Sequence, residues 1–263
     1  MSIEALPFVN WIFWAALSAG SLFVVGLTEL LGGTTRGYRL FMACLLVGCA
    51  AILLVSDLNL PGGVAAASTA DLRRPLVVVF LGGCVSYLAA QLVGSRIPLP
   101  RGAIAVAASL VGFAAMLVLA LAGATHGVAL FAGQLILAAL ALGAVNAAML
   151  LGHWYLVTPQ LSPRPLRRMM WLLIGALVLQ AVAFGAALIV VGGEPLRGDL
   201  AWLTWLRLIA GTLLPIGITV LAILASRAAS LQASTGLLYI GLALIIAGSI
   251  AGSSITYLTG VPV

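Results

Sequence analysis

Few side chains in this sequence can do chemistry. They are two histidines, His126 and His153, six acids and twelve basic residues, every one of the latter an arginine. The most distinctive grouping is "GHWYLVTPQLSPRPLRRM", where His153 precedes Trp154 and Tyr155 and a proline-rich loop leads to Arg164, Arg167 and Arg168. A histidine beside apolar helices suggests an axial haem ligand or a quinone partner. His126 and His153 lie at opposite ends of one apolar run, however. Their 27-residue separation is about 40 Å of helix at 1.5 Å per residue, so they cannot ligate one haem within a protomer. Haem is therefore not expected.

The remaining candidates are ionisable groups near the ends of apolar runs. Glu29, in "GLTELLGG", is placed about one turn inside the first run, where it either snorkels to the interface or contacts a proton or ligand. Asp57, in "LLVSDLNLP", closes the second run as a cap or as a functional acid. Arg207 sits a few residues into the seventh run and either snorkels or pairs with Asp57. If the fifth run packs beside the first, Glu29 and His153 share a depth. Such a pair could hold or relay a proton, since imidazole is the side chain that titrates near neutral pH. Asn146, Gln91, Gln134 and Gln180 are uncharged and suited to bonding between helices. No phosphate-binding glycine loop, HExxH motif, paired cysteines or serine-centred nucleophile elbow occurs, so no self-contained active site is expected. Cys44, Cys49 and Cys84 fall inside apolar runs without metal-type spacing and read as small apolar residues.

The elements that must position these groups are membrane helices. The chain is 63% hydrophobic and only 7% charged, and its mean hydropathy is +1.25. A soluble domain carries roughly 25% charged residues, so lipid must be the solvent here. The apolar runs are continuous and do not alternate, which excludes a β-barrel. We read an all-α polytopic membrane protein of eight transmembrane helices, at 8–31, 38–56, 75–94, 103–123, 128–152, 169–191, 203–226 and 236–257. Glycine and proline mark the junctions, among them Gly32-Gly33, Pro61-Gly62-Gly63, Pro98-Leu99-Pro100 and Gly192-Gly193. The residues form a single integral membrane domain, 1–263. Its even count permits two four-helix halves, 1–126 and 127–263, in the same orientation.

The net charge of +6 comes from arginines in short loops, so it is a topology signal and not a nucleic-acid surface. One side receives Arg36, Arg39, Arg96, Arg101, Arg164, Arg167, Arg168 and Arg227. The other receives Arg73, Arg74, Arg197 and Arg207. The richer side is expected to be cytoplasmic, with both termini periplasmic in a bacterial inner membrane. The N-terminus lacks the positive region of a cleavable signal, so the first helix is expected to be retained. All six tryptophans fall at expected interfaces.

"WIFWAALSAGSLFVVGLTELLG" followed by "LLVSDLNLP" resembles the opening helix pair of the polysulfide-reductase membrane-subunit family (NrfD/PsrC-like proteins). In that family a small-residue-rich first helix ends in an acid and a glycine, and the second ends in an Asp-Leu-x-x-Pro turn, matched by Asp57, Leu58 and Pro61. "GTLLPIGITVLAIL" and "LLYIGLALIIAGSIAGSSITYLTGVPV" resemble its last two helices. Leu60 stands where the family has an arginine. The resemblance implies an eight-helix subunit of a respiratory or other redox complex. Such a subunit binds quinone or quinol between helices, carries no covalent cofactor and anchors iron–sulfur or other redox subunits. The alternatives are a small-solute permease and a structural or assembly protein.

Overall fold

The computed structural model describes residues 5–60, 69–93, 100–123, 128–158 and 161–260, and among these there is helix and no strand. The helices are α1 (Ala5–Leu30), α2 (Arg36–Leu58), α3 (Ala70–Val93), α4 (Arg101–Gly123), α5 (Val128–Val157) and α6 (Arg164–Val191), then α7 (Ala201–Arg227) and α8 (Leu231–Thr259). A short 3-10 turn, Glu194–Leu196, lies between α6 and α7. All eight are long and apolar enough to cross a membrane. The chain is a multi-pass membrane protein, as its composition requires. His126 and the rest of the "GATHG" connection, residues 124–127, lie outside the described residues.

Several helices outrun the apolar spans. α5 continues through His153 to Val157 and α6 begins at Arg164, five residues earlier than expected. At 1.5 Å per residue α5 is about 45 Å long against a hydrocarbon core of about 30 Å. The helix therefore carries its polar and aromatic end into the headgroup region, where hydropathy no longer reports it. Pro165 sits in the first turn of α6, where a missing N–H costs nothing. α3 begins at Ala70 and not at Pro75. Pro75 removes one donor in the second turn, close to the aqueous end, and the helix tolerates it.

We call the side on which α1 begins the first face. It also holds the starts of α3, α5 and α7 and the ends of the even-numbered helices. The opposite side is the second face. α1 is the central helix and packs on α2, α4, α5 and α8. One buried core runs through all of these elements, while residues such as Val55, Val79, Leu92 and Ile189 point outward as lipid-facing side chains. Small residues allow the closest approaches. A Cβ built on Gly20 would overlap the Ala139 carbonyl, and one on Gly143 would overlap the Gly20 backbone, so α1 and α5 touch through their main chains.

The arginines of the second face do more than set topology. Arg36 Nη2 donates to the carbonyls of Gln91 (3.4 Å) and Leu92 (3.1 Å), and Arg101 Nε to that of Ala90 (3.0 Å). Arg168 Nη1 donates to Leu31 O at 3.0 Å and Gly32 O at 3.3 Å. Each satisfies carbonyls left open at a helix C-terminus and places positive charge at its negative end.

Candidate functional site

Asp57 is fully buried at the first-face end of α2. Its Oδ1 accepts from Trp11 Nε1 (2.8 Å) and Arg73 Nε (2.6 Å), and its Oδ2 from Arg74 Nε (3.3 Å). The guanidinium of Arg73 lies 5.5 Å from the Trp11 ring centroid, in cation–π range, and also donates to Thr69 Oγ1 at 3.2 Å. Asp57 thus pairs across the α2–α3 hairpin and not with Arg207. The reason is topological. Successive antiparallel helices put the first turn of α3 beside the last turn of α2, whereas α7 packs on α6 and α8. An acid followed 16 and 17 residues later by two arginines was the available signal in the sequence. Trp11, expected in the headgroup belt, is instead wholly buried at that depth because its N–H serves the carboxylate.

Glu29 occupies a second polar cluster, toward the second face. Tyr87 Oη donates to Oε2 (2.8 Å), and Gln91 Nε2 donates to Oε1 (3.1 Å) and Oε2 (2.9 Å). Arg39 Nε approaches Oε1 to 3.2 Å as an ion-pair contact without hydrogen-bond alignment. The carboxylate is therefore held inward by two neighbouring helices, α2 and α3, and does not snorkel free. α5 does pack beside α1, but His153 points elsewhere. It is exposed, and its Nδ1 lies 3.3 Å from Tyr239 Oη on α8. Among the described residues Glu29 and His153 form no ion pair. A shared depth was readable from the sequence, but the side of α5 that meets α1 was not.

Arg207 has a different environment. Only 4% of it is exposed, and among the described residues it forms no ion pair. It sits in a π-helical stretch of α7, Leu206–Leu213, where Leu214 N–H reaches back five residues to Ile209 O. Pro215, which has no N–H to give, follows immediately. A Cβ on Gly211, the next turn inward, would lie 3.5 Å from Arg207 Nη1 and 2.6 Å from Gly248 Cα on α8. The missing side chains at Gly211 and Gly248 let α7 and α8 touch and leave room for the arginine beside the crossing.

Arg207 lines a cavity of about 30 Å³ between α1, α5, α7 and α8, with Phe13, Phe131, Gln134, Ser249 and Ser253 among its walls. Space of this size holds roughly two water molecules. Gln134 is 6% exposed, and among the described residues neither its amide oxygen nor its nitrogen has a hydrogen-bond partner, nor does Ser249 Oγ. Buried polar groups are normally bonded, and each exception asks for an explanation. Here two of these groups, Gln134 and Ser249, line the same otherwise apolar cleft as one cation, and π-helical turns recur at functional sites. The arrangement supplies N–H and O–H donors, and among the described residues no carboxylate lines the cleft to receive them. It is suited to an acceptor oxygen or a small anion.

Gln180 is likewise buried without a partner, whereas Asn146 Nδ2 donates to Ser21 Oγ (3.0 Å) and joins α5 to α1. Cys49 and Cys84 are buried as their apolar context suggested, while Cys44 is exposed. No protein-family model, curated protein or solved structure matches the chain.

Proposed function

We propose that the chain is the membrane subunit of a redox complex and binds the headgroup of a quinone or quinol in the Arg207 cleft. The observation that carries this reading is the buried arginine that has no acid partner among the described residues, beside the unspent amide of Gln134. Quinone oxygens accept hydrogen bonds, and a donor left without an acceptor in an apolar cleft favours a ligand that provides one. Asp57 and Glu29 have their oxygens occupied by partners from the chain, so both serve as polar joints between helices. The quinone supplies the redox chemistry. The chain orients its oxygen with Arg207, Gln134 and Ser249 and walls the ring with Phe13 and Phe131. The cavity takes an oxygen edge and not a whole ring, so the ring lies at the cleft's opening.

The resemblance of the first two and last two helices to the NrfD/PsrC-like proteins supports a non-cofactor-bearing anchor for iron–sulfur or other redox subunits. The eight-to-four arginine bias supports an orientation with the first face, both termini and the cleft away from the cytoplasm, which is the periplasmic side if the membrane is a bacterial inner membrane. One observation favours a second reading, a permease for a small anion. An interrupted helix with a buried charge beside the interruption is a feature of transporters.

Calorimetric titration of the purified chain with a short-tailed quinone separates these readings. Binding is expected in the wild type, in Glu29→Gln and in His153→Ala, and it is expected to fall at least tenfold in Arg207→Gln. Binding that survives Arg207→Gln but fails in Glu29→Gln would move the site to the second face. No quinone binding, with anion flux in liposomes that depends on Arg207, would establish the permease.

A further inference from the structure

The second face carries a feature that the quinone reading does not use. An apolar groove of about 260 Å³ opens between α1, α5 and α6, formed by Phe23 and Val24, by Leu137 and Leu140, and by Trp171 and Gly175. It extends along α6 from Trp171 to Leu179, about 12 Å at 1.5 Å per residue. Spacings of four, three, four and four put Arg164, Arg168, Trp171, Gly175 and Leu179 on one side of α6. Arg168 bridges from that side to the Leu31 and Gly32 carbonyls at the end of α1, across the top of the groove. Arg167 precedes Trp171 by one turn. Among the described residues neither Arg164 nor Arg167 forms an ion pair, and the nearby acid on this face, Glu29, is engaged by Arg39, Tyr87 and Gln91. Arg164, Arg167 and Arg168 thus occupy the turns of α6 that precede the apolar groove, and among the described residues none of the three forms an ion pair.

We propose that this groove is a binding site for one anionic phospholipid, its acyl chain along Trp171–Leu179 and its phosphate on Arg164, Arg167 and Arg168. Charge complementarity selects the occupant. A zwitterionic lipid fills the groove equally well but brings a cation to the arginines, and basic pockets between transmembrane helices are where acidic headgroups bind. Trp171, 54% exposed, lies at the junction of headgroup and chain, the position an indole prefers. The positive end of the α6 dipole adds to the same field.

Native mass spectrometry of the full chain in mild detergent tests this, with phosphatidylglycerol and phosphatidylcholine of identical acyl chains as probes. The wild type is expected to prefer phosphatidylglycerol. The double variant Arg164→Gln/Arg167→Gln keeps Arg168, which caps α1, and is expected to lose about fivefold of that preference per arginine, with phosphatidylcholine binding unchanged. Gly175→Leu is expected to weaken both lipids. A Cβ there meets nothing within 4 Å, so the new side chain fills the groove without disturbing its walls. Equal binding of the two lipids by the wild type, or a preference that survives the double variant, would overturn the proposal. So would Gly175→Leu binding like the wild type, or an isoprenoid quinone displacing phosphatidylglycerol at equal concentration. Unchanged helicity by circular dichroism and a single elution peak show that each variant has folded.

Discussion

Two buried ionic groups at the same face of the membrane have opposite roles because their neighbours differ. Asp57 answers two arginines and an indole N–H, so removing its charge takes away the carboxylate that Arg73 and Arg74 face across the α2–α3 pair. Breaking a buried pair from one side costs about 3–5 kcal/mol. Asp57→Asn is expected to lower the thermal unfolding midpoint in detergent by on the order of 10 °C, read by intrinsic fluorescence. Among the described residues Arg207 has no such partner. Arg207→Gln removes an unneutralised charge from an apolar cleft, so the midpoint is expected to hold or rise while quinone binding falls. A large loss of stability in Arg207→Gln would mean that the arginine is structural. Tyr87→Phe takes one donor from Glu29 and is expected to cost about 1–2 kcal/mol, a smaller shift than Asp57→Asn in the same assay.

At the scale of the element, the helices are specified by where they lack side chains. α1 crosses α5 at Gly20 and Gly143, and α7 crosses α8 at Gly211 and Gly248, in both cases main chain to main chain. Gly20→Ala and Gly248→Ala must force these helices apart, with an expected cost of about 1–3 kcal/mol as in other overpacked sites. Gly217→Ala lies on the same α7 with nothing within 4 Å and is expected to be neutral or slightly stabilising. Comparing Gly248→Ala with Gly217→Ala in one unfolding assay isolates the crossing from helix propensity. Gly248→Ala also pushes on the wall of the Arg207 cleft, so quinone binding is expected to weaken there and to persist in Gly217→Ala.

For the whole molecule, the arginine asymmetry gives an orientation that whole cells can report. Single cysteines at Ser2→Cys and Ser162→Cys, in a background lacking Cys44, Cys49 and Cys84, are expected to differ toward an impermeant maleimide. Ser2→Cys is expected to label and Ser162→Cys to stay protected; the reverse pattern would invert the molecule. A reduced-minus-oxidised spectrum of the purified chain is expected to show no stoichiometric haem band, and a band lost with His153→Ala would assign His153 as a ligand.

Composition and run length alone determined the solvent, the helical class and the number of helices, because a chain with 7% charged residues can satisfy its backbone in lipid only within each helix. The depth of each polar residue followed from 1.5 Å per residue, which is why Glu29, Asp57 and Arg207 could be singled out. Rotation of each helix about its own axis was not determined in this way. The polar residues are few and the apolar ones nearly uniform around α5, so no hydrophobic stripe indicates which side meets α1. Packing decided that His153 turns to Tyr239, that Asp57 meets Arg73 and Arg74, and that Glu29 meets Tyr87 and Gln91. It also decided that α7 widens into a π-helix beside Gly248. Small residues at a crossing can be seen in a sequence, but which pair of helices they join depends on every other contact in the bundle. The unspent donors around Arg207 arise from that choice of neighbours.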